Sequence, residues 1–158
     1  MPLKPPQITP FLWFNDNAEA AVDFYLSVFP NSRRLRELRN PAGAPGPKGA
    51  ILTLEFELSG HPFVALNGGP AYQFNPAVSF FVTCRDQAEI DYYWSHLTEG
   101  GQEIQCGWLT DRFGLSWQIV PSEIMELIRH PQAFQAMLTM KKFDLAALQK
   151  AAGGPATQ

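Results

Sequence analysis

Residues 50–58 alternate cleanly, with Leu52, Leu54, Phe56 and Leu58 on one face and Thr53, Glu55 and Glu57 on the other, the period-two signature of a half-buried strand. Ser59-Gly60 turns this strand into a second apolar run over residues 62–67, and the two make a hairpin. Upstream, residues 8–14 form a strand-length apolar run rich in Phe and Trp. Asp16 and Glu19 then have capping-box spacing, and Ala18, Ala21, Val22, Tyr25 and Phe29 recur at helical spacing up to Pro30. Residues 32–40 mix apolar positions with Arg33, Arg34, Arg36, Glu37 and Arg39, which suits a sheet edge guarded by charge. The Pro- and Gly-rich residues 41–49 break the chain as a connector or a lid.

The order then repeats. Residues 77–84 read as a strand, and Asp86 with Glu89 sets a second capping box 70 residues after the first. Ile90, Tyr93, Trp94 and Leu97 follow at i, i+3, i+4 and i+7 until Gly100-Gly101 stops the helix. Residues 102–106, 107–112 and 115–120 offer three short strands, the last two joined around Phe113-Gly114. A duplicated module cannot bury its sheet alone and pairs with its copy. The expected fold is therefore α+β and a single domain over residues 1–158: a βαβββ module at 8–67 and another at 77–120, making a cupped, mixed and mostly antiparallel sheet around a cavity. Residues 122–152 read as a helical appendage.

Composition narrows the chemistry. Of 158 residues, 46% are apolar and only 17% charged, so the chain has apolar surface to place in a pocket or an oligomer interface. A formal charge of −3 leaves no basic footprint, which argues against nucleic acid and anionic membranes as partners. No apolar run approaches the roughly 20 residues that span a bilayer. Two cysteines do not make a disulfide scaffold, and residues 1–7 have no apolar core of a leader, so the expected location is cytoplasmic.

The strand, helix and three-strand repeat resembles the vicinal oxygen chelate superfamily of glyoxalase, bleomycin-resistance and extradiol-dioxygenase proteins. Thr9-Pro10-Phe11-Leu12-Trp13-Phe14 leading into Asn17-Ala18-Glu19-Ala20-Ala21, Leu66-Asn67-Gly68-Gly69-Pro70, Ser79-Phe80-Phe81-Val82 and the block from Cys106-Gly107-Trp108 to Ile119-Val120-Pro121 resemble its PhnB-like branch. The tail Met140-Lys141-Lys142-Phe143-Asp144-Leu145 is also similar to that branch. The resemblance implies the cupped fold, a homodimer and a small-molecule ligand. Members often carry the label 3-demethylubiquinone-9 3-methyltransferase, but this sequence has no glycine-rich loop after a first parallel strand, with an acidic residue about 20 positions on, to seat a nucleotide-like methyl donor.

Enzymes of the superfamily hold a divalent ion with His, Gln or Glu from the first and last strands of each half. Carried over residue by residue, those positions fall at Pro10 or Leu12, at Ala65 or Asn67, at Val78 or Ser79, and at Gln118. Asn67, Ser79 and Gln118 offer only neutral oxygens, a poor set for Zn, Ni or Fe, so neither a metal nor another cofactor is expected. His61, His96 and His130 fall outside the cup-lining positions. The reading favoured is a metal-independent small-molecule binding protein with Gln118, Asn67 and Ser79 as orienting groups and Trp13, Phe81 and Trp108 among its aromatic walls. The alternative is an enzyme of the superfamily, of lyase, isomerase or dioxygenase type, or a methyltransferase as the label suggests. No catalytic residue is assigned: Glu55 is a general base only if its face lines the cup, and Cys106 is the better-placed thiol for covalent chemistry than Cys84.

Overall fold

The first apolar run becomes strand β1 (Phe11–Phe14), three residues shorter than its sequence pattern. Ile8 is 88% exposed, and Pro10 has no N–H to give a ladder, although its carbonyl still accepts from the Val64 N–H at 3.0 Å. The structure is a computed structural model and describes residues 1–153. After β1 come helix α1 (Ala18–Val28), strand β2 (Arg33–Arg39) and the hairpin of β3 (Ile51–Leu58) and β4 (His61–Asn67). The sheet order is β1-β4-β3-β2, with β1 parallel to β4 and the other pairs antiparallel. Leu12, Phe14, Leu54, Phe56 and Ala65 are buried on the face that packs against Ala21, Val22 and Tyr25 of α1. Strand β2 is exposed along its whole length and irregular in register, a guarded edge as its charges imply. Its arginines reach onto β3, Arg33 to Glu57 at 3.0 Å and Arg36 to Glu55 at 2.9 Å.

The expected capping box at Asp16 and Glu19 is not what starts α1. Asn17 sits at the cap position without a side-chain bond, and the Ala18 N–H donates instead to Asn67 Oδ1 at 2.9 Å. A residue 49 positions away supplies the acceptor that an N-terminal orphan donor needs.

The second half repeats the plan with β5 (Phe80–Cys84), α2 (Gln87–Thr98), β6 (Gln102–Glu103), β7 (Trp108–Thr110) and β8 (Ser116–Pro121) in the order β5-β8-β7-β6. Here Asp86 does cap the helix, accepting from the Glu89 N–H at 2.9 Å, and the Glu89 carboxylate closes a widened capping box by accepting from the Arg85 N–H, one residue before the cap, at 2.8 Å. Strands β5 and β6 are shorter than their apolar patterns. Leu109, Trp117 and Ile119 are buried on the face toward Ile90, Trp94 and Leu97 of α2.

Helices α3 (Ile124–Leu127), α4 (Pro131–Leu138) and α5 (Leu145–Ala151) form the expected appendage. Ile124, Leu127, Phe143 and Leu148 gather around Val120 of β8. Cys106 and Gly107 adopt left-handed backbone angles, φ 60° and 78°, and their N–H groups donate to the Met140 and Lys141 carbonyls at 2.8 Å each. Gly107 has to be glycine, because a Cβ there would lie 2.6 Å from the Phe143 ring and 2.8 Å from the Ile119 carbonyl oxygen. The Gln87 amide clamps this tail from both sides, donating to the Phe143 carbonyl at 2.9 Å and accepting from the Leu145 N–H at 2.8 Å.

The chain divides into two compact units, Met1–Gln73 and the part from Phe74 onward, and the appendage belongs to the second. Among the described residues no helix is long and apolar enough to cross a membrane.

Candidate functional site

In the second unit, alternation along β8 turns Ser116, Gln118 and Val120 away from the face that α2 covers. Register decides what lies beside them. Gln118 is the cross-strand partner of Phe81 on one side and of Trp108 on the other, so ring, amide and ring form a row across β5, β8 and β7. Phe81 is 44% exposed, and Trp108 and Gln118 are half-buried. Ser79 stands two residues before Phe81 on the same side, and its hydroxyl accepts from Gln118 Nε2 at 2.9 Å. Because a hydroxyl both gives and takes a hydrogen bond, a half-turn of the amide leaves the pair intact while changing the group it presents outward from an acceptor to a donor. Four of the six residues singled out in the sequence, Ser79, Phe81, Trp108 and Gln118, therefore come together on one open sheet face.

Trp13 and Asn67 belong to the first unit, and there the structure gives each a local task. Trp13 lies on the open face of its sheet opposite Leu66, donates from its indole to the Gly69 carbonyl at 2.9 Å, and meets Tyr72 edge-on at 4.9 Å. Its ring covers Gly68 so closely that a Cβ there would overlap it. Asn67 departs from its expected role as a cup-facing ligand group. Its partner Phe14 is buried toward α1, and its amide is committed, Oδ1 to the Ala18 N–H and Nδ2 to the Ile51 carbonyl at 3.0 Å.

The metal positions fare similarly. Leu12 and Ala65, 6% and 0% exposed, point into the core beneath α1, and with Asn67 committed the remaining donors are the neutral Ser79 and Gln118. That set does not fit a divalent ion. Among the described residues no three His, Cys, Asp or Glu side chains are grouped to hold one. Glu55 does lie on the open face of the first sheet, where Arg36 holds its carboxylate with bonds of 2.9 and 3.3 Å. His61 opens β4, His96 lies in the last turn of α2 and His130 precedes α4.

Both cysteines are free. Cys84 is fully buried, and desolvation, reinforced by the nearby Glu89 and Asp86, pushes its thiol up to about 12. A thiol deprotonated only near that value is a neutral S–H throughout the working range. At pH 8, Cys84 is expected to stay silent toward a disulfide reagent such as DTNB until the protein is unfolded, and rapid release of two thiolates from native protein would contradict this.

One further group lies on the face turned away from α2. Ser116 is 1% exposed and its Oγ has no hydrogen-bond partner. It sits two residues before Gln118, so the alternation that picked out Gln118 also places Ser116 on that face.

The family model described as 3-demethylubiquinone-9 3-methyltransferase matches residues 6–120, which leaves the C-terminal helices outside it. No curated protein matches the chain. Among solved structures, a PhnB protein from Bacillus cereus is 32% identical with a TM-score of 0.66, the alignment covering 73% of this chain and 98% of that one. A Pseudomonas aeruginosa protein is 25% identical with a TM-score of 0.60, covering 74% and 97%. The fosfomycin resistance protein FosX of Listeria monocytogenes, complexed with Mn(II) and sulfate, shares the fold at 12% identity and a TM-score of 0.54, covering 80% and 98%. Neither sheet here is the doubly wound parallel kind that seats a nucleotide-like methyl donor, so the family's name is not matched by a methyl-donor site. Its two four-stranded sheets have the fold of the fosfomycin resistance proteins of the glyoxalase/bleomycin resistance group, and by its matched family model and its 32%-identical relative the chain belongs to the PhnB-like, 3-demethylubiquinone-9 3-methyltransferase family.

Proposed function

We propose that the chain is a metal-independent small-molecule binding protein whose site is the open face of the second sheet, with Gln118 and Ser79 as its polar centre and Phe81 and Trp108 as its walls. The observation that carries this is the row itself: a half-buried amide, held by one neighbour through Nε2 and keeping Oε1 free, flanked on both adjacent strands by rings. Few polar groups at fixed positions among aromatic surface are the usual form of a small-molecule site. An amide and a hydroxyl with no imidazole or carboxylate beside them support independence from metal.

The test is a thermal-shift screen of a diverse compound set on protein stripped with EDTA, repeated with Mn, Fe, Ni and Zn salts. Hits are expected without metal. Gln118→Leu keeps the volume and removes the amide, and it should weaken them about tenfold, the worth of roughly one hydrogen bond. Hits that appear only with a stoichiometric divalent ion, or that ignore Gln118→Leu, would overturn the reading. We further propose that the protein works in the cytoplasm as a homodimer. Phe11 and Leu38, 59% and 55% exposed, give the first unit apolar surface to cover, and both cysteines are free. Light scattering at micromolar concentration should give twice the chain mass.

A further inference from the structure

We infer that the ligand of this face is an uncharged, planar ring compound with a hydrogen-bonding edge, held between the Phe81 and Trp108 rings with that edge on Gln118. The inference rests on the binding reading above and narrows it to a chemical class. Spacing comes first. Phe81 and Trp108 flank Gln118 from the two adjacent strands, so their backbones stand roughly 9–10 Å apart at the usual strand separation. A flat ring midway lies about 4.5–5 Å from each wall, within the range of stacked aromatic pairs. Saturated rings are thicker and gain less from such a slot.

Second, neither wall ring is engaged by another ring among the described residues. Phe80 pairs with Trp117 at 5.5 Å and Phe56 with Phe63 at 5.5 Å. Phe81 and Trp108 have no aromatic partner among the described residues. The indole N–H groups of Trp13, Trp94 and Trp117 are all hydrogen-bonded, to Gly69, Glu103 and Asp111, and that of Trp108 is not. A half-buried tryptophan and a 44% exposed phenylalanine beside an amide with a free oxygen are groups left for a ligand.

Charge is the third. The row alongside the rings holds Gln102, Thr110 and Ser116, which share this face by register, and Thr83 lies beyond Phe81. None of these positions or those of the ring row is ionisable. Glu103 turns to the other face, where it accepts from the Trp94 indole at 2.7 Å. At these strand positions an anion finds no cation, and a cation no carboxylate, to repay its desolvation. A neutral lactam, quinone or phenol edge matches the Gln118–Ser79 pair, which presents a donor or an acceptor as the ligand requires.

The experiment compares three matched probes by 1H–15N NMR on the full chain: quinolin-2-one, its saturated octahydro analogue and quinoline-2-carboxylate. The readouts are the Trp108 indole and Gln118 side-chain amide resonances. Quinolin-2-one should shift both at roughly millimolar concentration, as suits a fragment of its size. The saturated and anionic probes should bind at least tenfold more weakly, and Phe81→Ala, a substitution of an exposed ring, should remove the preference for the planar probe. If the saturated or anionic probe shifts the same resonances equally well, or if screening hits do so and quinolin-2-one does not, the planar neutral class is wrong and the binding face stands. If no probe and no screening hit moves either resonance, both readings fall.

Discussion

Asp111→Ala should destabilise the second unit by about 3 kcal/mol or more, a loss set by the donors it would strand. Asp111 is 2% exposed and sits where β7 turns into β8. Its Oδ1 accepts from the Phe113 and Leu115 N–H groups at 2.8 and 3.0 Å, and its Oδ2 accepts from the Trp117 indole at 2.9 Å. The carboxylate organises the turn through these backbone donors, while Arg112 reaches the Glu99 carbonyl at 3.2 Å. Each buried donor left without an acceptor costs about 1–3 kcal/mol, and the relief of no longer burying a carboxylate returns part of the sum. Trp117 is 2% exposed, so water does not replace the lost partner at its indole. Asp111→Asn separates the contributions: it keeps an oxygen for the two backbone donors and sets an N–H₂ against the indole N–H. Urea unfolding should rank wild type, Asn and Ala in falling order, and the Asn penalty should shrink in a Trp117→Phe background, since the clashing donor is then gone. An Ala variant within 1 kcal/mol of wild type would refute this account of the turn. The consequence for the site is direct, because Trp117 and Gln118 are neighbours on one strand whose start this turn fixes.

What sequence could and could not reveal follows from how far each interaction reaches along the chain. Alternation within residues 50–58 is local, and β3 follows it except near Leu52, where the register against β2 shifts and Ile51 takes the buried place. The guarded edge β2, the capping box at Asp86 and the helix stop at Gly100-Gly101 were legible for the same reason. The cap of α1 was not, because Asn67 arrives from another strand. Asn67 was misjudged as a ligand group because a period-two pattern separates two faces without saying which one a helix covers. The alternation along β8 sets Gln118 on the face away from Trp117 and Ile119, but its neighbours Phe81 and Trp108 depend on the parallel register of β5 with β8 and the antiparallel register of β7 with β8. Sequence supplied the candidates, and pairing brought four of them together on one face. The role of Val120 under the appendage was invisible too, since the strand pattern ends where helices it cannot foresee begin to cover it.

Gly101→Ala should be among the most damaging single substitutions in the chain, and more so than Gly100→Ala beside it. The two glycines end α2 for different reasons. Gly100 has φ 75°, a left-handed residue after the helix, and a Cβ there would meet only the Arg112 side chain, at 3.3 Å from its Cβ. Alanine pays about 1 kcal/mol for that backbone conformation, and a contact of 3.3 Å asks for only a small shift of the Arg112 side chain. Gly101 has an ordinary φ, so its requirement is space. A Cβ there would overlap the Thr110 carbonyl oxygen and lie 2.9 Å from the Asp111 main chain. Those atoms belong to the strand that Gln102 pairs with, so they move only if β6 leaves β7 or the Asp111 turn opens. Overpacking against main chain belongs at or above the upper end of the usual 1–3 kcal/mol range. In urea unfolding, Gly101→Ala is expected to cost about 3 kcal/mol or more and Gly100→Ala about 1 kcal/mol. NMR should show the damage of Gly101→Ala spreading along Thr110 and Asp111 toward the Trp117 indole, while Gly100→Ala perturbs only Arg112 and the end of α2. The reverse ranking would mean that the left-handed backbone, and not the close approach of β7, dictates why this helix ends in two glycines.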